Sequence, residues 1–158
     1  LEMIDRKSRN NNIVVSGLNS GNTHDAQIEF QKLSADDLGI SVQVNNTVML
    51  NRRSFMFNLD TMSSAQKVLA ASGRLKGRPI YIQKDFTPLE QDIRYKLRQI
   101  AKSIRANNKT VKIRNGDLCI FINDMSFTVF NGKICARSTN DADFLRKLFV
   151  VFLRNQHH

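Results

Sequence analysis

Cysteine and histidine are scarce in this chain, and their scarcity removes whole classes of chemistry. There are two cysteines and three histidines. Cys119 and Cys135 could close one disulfide, but two cysteines do not make a disulfide framework. Nor do they make a zinc site, because the one other soft ligand that is clearly native, His24, is far away in sequence. Both are read as reduced thiols packed as small apolar groups. The closing His157-His158 pair is set aside as a tag remnant. No run approaches the apolar length of a membrane span, so no membrane partner is expected. No secretory leader opens the chain, although it starts at Leu1 and an upstream leader would not be seen. There is no Gly/Ser-rich linker, no internal repeat and no low-complexity segment, so the two halves are expected to pack together.

What the chain has in quantity is positive charge. Its 158 residues suffice for one ordinary domain or two small ones, and they carry a formal net charge of +10. Such a charge attracts polyanions and speeds encounter with them. The plain alternative is a soluble protein with a basic surface. The charge is uneven: residues 1–83 hold ten Lys+Arg against seven acids, and residues 84–158 hold fourteen against seven.

The opening "MIDRKSRNNN" is polar and aperiodic, and residues 1–11 read as a leader or the frayed end of an earlier element, the end of a missing N-terminal region. "NIVVSGL" reads as a strand closed by Gly17. Thr23 is placed to cap a helix across "HDAQIEFQKLSADDLG", with Ile28, Leu33 and Leu38 on its buried side and Gly39 as its stop. "SVQVNNTVML" is a strand with apolar Val42 and Val44 that resumes near Thr47 to Leu50. "SFMFNL" is the next. Asp60 or Thr61 caps "MSSAQKVLAAS", with Val68 and Leu69 as core contacts and Gly73 as its end. "RPIYIQ" is another strand. Residues 12–86 therefore read βαββαβ, the ferredoxin-like plan used by RNA-recognition modules and many other proteins. The order alone does not choose among them.

Residues 87–156 read as a second, small α+β domain. Thr87 is a cap and Pro88 takes the first helical position. Leu89, Ile93, Leu97, Ile100 and Ile104 then form one apolar stripe. "KTVKIRNGDLCIFI" predicts two strands about an Asn115-Gly116 turn, and Asn131-Gly132 joins "SFTVF" to "KICA". A last helix is expected from Thr139 or Asn140, with Asp141 and Asp143 in its first turn. Phe144, Leu145, Leu148, Phe149 and Phe152 form its apolar face.

The stretch "NRRSFMFNLD" resembles the strand on which RNA-recognition motifs stack bases. Its parity argues otherwise. Phe55, Phe57 and Leu59 share one face and Ser54, Met56 and Asn58 the other. The first set makes the better core. With Ile13, Val15, Ile80 and Ile82 also inward, the open face carries Val14, Ser16, Met56, Asn58, Tyr81 and Gln83. Tyr81 is its one plausible stacking group, and a tyrosine half covered by a neighbouring segment is the alternative.

On the long helix, Arg94, Arg98, Lys102 and Arg105 fall within roughly 80° of one another, opposite the apolar stripe. A solvated charged face is the usual meaning of such a pattern. Lys109, Lys112 and Arg114 continue the basic character, and Arg52, Arg53, Arg74, Lys76 and Arg78 add basic loops in the first half. These segments could meet along a groove between the halves, where phosphate contacts would dominate affinity.

The segment "LKGRPIYIQKDFTPLEQDIRYKLRQIAKSIRANNKTVKIRNGDLCIF" resembles the RNA-binding part of the first-open-reading-frame proteins of LINE-type non-LTR retrotransposons. The likeness lies in a "KG-P-I" strand, a "DF(S/T)" junction, a helix with paired arginines and a basic strand. "RNNNIVVSGL" resembles the family's first strand, and "FNGKICARSTNDADFLRKLF" its closing strand and helix. The likeness covers nearly the whole chain in order and spacing, and no single motif is diagnostic. It implies a noncanonical RNA-recognition domain followed by a family-specific C-terminal domain. It also implies trimers through an N-terminal coiled coil absent from this chain, coating of the element's RNA, and nucleic-acid chaperone activity. The implied setting is cytoplasmic ribonucleoprotein particles, with a nuclear one open. Single-stranded RNA is the implied partner, with single-stranded DNA also open. By position, Arg94 and Arg98 match basic positions of the family's inter-domain helix, Arg53 the arginine opening the third strand, and Lys112 a basic position after the helix. Tyr81 departs from the family pattern, which has a basic residue there.

Two rivals stand beside this reading. Catalysis has little to build on. The histidines are badly placed for a triad, Asp36-Asp37 sits at a helix end beside Gly39, and "SGLNSG" is not a phosphate-binding fingerprint. No cofactor is expected. The stronger rival is a protein-interaction or assembly module with a basic surface.

Overall fold

Asn22 and Thr61 begin the two helices of the first half in the same way. Each lies in extended backbone, and its side-chain oxygen accepts from the amide three residues on, Asp25 or Ser64. The first cap is thus Asn22, one residue before the expected Thr23. In the computed structural model, residues 1–107, 109–114, 119–122, 125–130 and 133–136 are described. The protein is a mixed α+β chain of helices and antiparallel sheets, and it divides into two units, Leu1–Thr87 and Pro88–His158.

In the first unit, α1 (Glu2–Ser8), β1 (Asn12–Ser16), α2 (Thr23–Leu33), β2 (Val44–Asn51), β3 (Ser54–Leu59), α3 (Met62–Ala71) and β4 (Tyr81–Lys84) follow in order. The strands form one antiparallel sheet in the order β2-β3-β1-β4. The core contains Ile13, Val15, Phe55, Phe57 and Leu59 from the sheet, with Ala26, Phe30, Leu33, Ala65 and Val68 from α2 and α3. Phe57 is its aromatic centre: its ring stacks on Phe30 with centroids 4.6 Å apart, and Phe55 lies 6.4 Å away.

Several local expectations are corrected here. Residues 2–8, expected as an aperiodic leader or a frayed element end, form a helix, which Arg6–Glu2 and Arg9–Asp5 ion pairs at i,i+4 spacing support. Ile28 is 53 % exposed; Ala26 and Phe30 take the buried side of α2. That helix runs into a π-helical turn, Ser34–Leu38, and stops at Gly39 with φ +69°. Gly73 lies inside a 3-10 turn, Ser72–Leu75, two residues beyond the end of α3. β2 is continuous from Val44, with register shifts near Asn45 and Leu50 in place of a break. β4 starts only at Tyr81; Pro79 ahead of it has no amide to donate to a ladder.

In the second unit, α4 (Pro88–Ala106) is followed by β5 (Lys112–Arg114), β6 (Cys119–Ile122), β7 (Met125–Phe130) and β8 (Lys133–Ala136), which form an antiparallel sheet in sequence order. Leu97, Ile100 and Ala101 of α4 cluster with Val111, Ile120 and Phe127, and Ile93 and Ile104 pack at the margin. The stripe thus works from Ile93 onward, while Leu89 is 48 % exposed. Cys119 is a buried thiol. Both Asn-Gly turns and the expected helix after Thr139, with its phenylalanines, lie outside the described residues.

Candidate nucleic-acid interface

The inward parity of β3 leaves the other sheet face to Val14, Ser16, Met56, Asn58, Tyr81 and Gln83, and that face offers little for reading bases. Asn58 Nδ2 donates to Asn12 Oδ1 at 2.7 Å, and the Ser16 and Ser54 hydroxyls bond to each other at 2.8 Å. Val14, expected to be open, is only 7 % exposed, because it sits on the central strand between Met56 and Gln83. Tyr81, on the edge strand, is 71 % exposed and is the one aromatic on this face.

The register divides the sheet into two electrostatically different ends. At one end Asn51, Ser54, Ser16 and Tyr81 form a row across all four strands. Arg52 and Arg53 fill the β2–β3 turn here and are exposed. Asn51 Oδ1 accepts from the Arg53 amide at 2.9 Å, which holds the turn. The loop Lys76–Pro79 enters at the same end. Gly17 makes this possible: at φ +93° it donates to the Arg53 carbonyl, and a Cβ there would fall 1.9 Å from the Pro79 carbonyl oxygen. At the other end the charges are paired. Asp85 accepts from Arg9 at 3.1 Å and from Asn12 at 2.9 Å, and Thr87 donates to Glu2 at 2.7 Å. The Thr87 hydroxyl, with Arg6, holds the Glu2 carboxyl below the usual carboxylate range.

Not every basic residue of this unit is available. Arg78 pairs with Asp37, and Arg74 donates to the Leu38 carbonyl at 2.7 Å. Both secure loops. Arg52, Arg53 and Lys76 have no ion pair among the described residues.

In the second unit, Arg98, Lys102 and Arg105 are exposed on α4, while Arg94 is half-buried. Arg105 donates to the Val111 carbonyl at 3.2 Å, so it also ties the helix end to the segment before β5. Lys109 and Lys112 are exposed, and Arg114 is the last residue of β5. Of the two acids of α4, Glu90 is buried in the first turn and Asp92 is paired with Lys96 at 2.7 Å. Tyr95 escaped the reading of the sequence. It is 65 % exposed and lies within about 20° of Lys102 around the helix. A projection of aromatic as well as charged residues would have found it.

Among the described residues, no group of three or more His, Cys, Asp or Glu is placed to hold a metal ion, and no helix is long and apolar enough to cross a membrane. A scan against protein-family models and a search of curated proteins each find no match.

Proposed function

We propose that this protein binds single-stranded RNA, with low sequence specificity, through the basic side chains of both units. The observation that carries the reading is the set of exposed cations without ion pairs among the described residues: Arg52 and Arg53 at one end of the first sheet, and Lys102, Lys109 and Lys112 in the second unit. Such cations are suited to phosphate contacts, which give affinity without base identity. The βαββαβ order and the sheet order β2-β3-β1-β4 support a ferredoxin-like, noncanonical RNA-recognition domain in the first unit. With the resemblance in the segment from Leu75 to Phe121, the reading extends to packaging of retrotransposon RNA and to chaperone activity. In the full-length protein, a coiled-coil trimer belongs to the same proposal.

A second reading has one observation of its own. The edge strand β2 exposes Val48, Met49 and Leu50, which suits a protein partner. A titration with single-stranded RNA, repeated with duplex DNA and across a salt series, separates the two. Single-strand affinity that falls steeply with salt supports nucleic-acid binding. Absence of nucleic-acid affinity at low salt leaves the protein-interaction reading.

A further inference from the structure

Beside β4 the first unit has a concavity of about 710 Å³, within the size range of small-ligand sites. Lys76, Arg78, Pro79, Ile80 and Tyr81 are among its lining residues. It combines three things that a nucleotide needs: an exposed aromatic ring, apolar surface and a cation. Tyr81 supplies the ring, Pro79 apolar surface and Lys76 the cation, while Ile80 packs against the core. Lys76 is exposed and has no ion pair among the described residues, whereas Arg78 is engaged with Asp37. The loop is built rather than loose. The Lys76 amide donates to the Gly73 carbonyl and the Arg78 amide to the Leu75 carbonyl, at 3.2 and 3.0 Å, with Gly77 at φ +88° between them. Close approach of Gly17 seats Pro79 against the end of β1.

We propose that this concavity is a nucleotide subsite. One base of a single strand lies against the Tyr81 ring, and the adjoining phosphate lies on Lys76. The row from Tyr81 through Ser16 and Ser54 to Asn51 spans three inter-strand steps, about 14 Å. It leads to Arg52 and Arg53, so the next phosphates follow the basic end of the sheet. Stacking accepts any base, which suits low sequence specificity. The inference rests on the proposed single-strand binding, and adds to it a base contact where phosphate attraction alone predicts none.

The test uses two probes of equal length on the full chain: a 20-nucleotide oligouridylate and the same backbone without bases. Tyr81→Ala should weaken oligouridylate binding about tenfold and leave the abasic strand unchanged. Tyr81→Phe should keep the wild-type affinity, since the ring remains. Lys76→Ala should weaken both probes. Tyr81 is largely exposed, so the fold should tolerate both substitutions. If Tyr81→Ala changes neither probe, or both equally, there is no base subsite at Tyr81, while single-strand binding stands. If wild-type protein binds neither probe, the subsite and the proposed function fall together.

Discussion

Phe57 shows how one side chain decides what a strand is for. Its ring is fully buried and stacked on Phe30, so it holds α2 to the sheet and cannot meet a base. Phe57→Ala should destabilise the protein by about 3–5 kcal/mol, the usual cost of an emptied aromatic site, read by urea denaturation. Protein that remains folded should keep its RNA affinity. A well-folded variant without affinity would reverse the assignment of faces. This parity was legible in the sequence, because an alternating strand has only two faces and the Phe-Phe-Leu set makes the better core. The positions that were not legible depend on neighbours from elsewhere in the chain. Val14 is covered by cross-strand partners, Arg78 is claimed by Asp37 from 41 residues away, and Ile28 yields the buried side of α2 to Phe30.

At the scale of elements, α4 has two distinct sides. Its apolar stripe packs on its own sheet, and Arg98, Lys102 and Arg105 are exposed. Arg98→Ala combined with Lys102→Ala should make the salt dependence of RNA binding shallower by about one unit per lost phosphate contact. Thermal stability should change little, since both residues are exposed. Unchanged affinity would return the helix to a merely solvated face. The small helix α1 makes a different prediction. The Glu2 carboxyl is depressed chiefly by the Thr87 hydroxyl, so its support for the docked helix is present at neutral pH. That support is lost as pH falls through the lowered value. A carbon-detected NMR titration should find Glu2 titrating below an ordinary glutamate, and Thr87→Val should move it up. Glu2 titrating normally in both proteins would remove this contact. No local pattern in the sequence announced it, because its partners are 85 residues apart. The stripe from Ile93 to Ile104, by contrast, follows from spacing, and the helix start from proline at its first position.

For the whole molecule, both units carry exposed cations and neither offers an evident set of base-edge readers among the described residues. Affinity should therefore follow phosphate number more than base identity. The most direct measurement is the equilibrium affinity for oligouridylate and oligoadenylate of one length, each followed across a salt series. Four to six phosphate contacts predict a slope of log affinity on log salt of about −3 to −4 for a single strand. The two homopolymers should bind within about tenfold of each other. A slope near zero, or a thousandfold preference for one base, would contradict binding governed by the basic side chains of the two units.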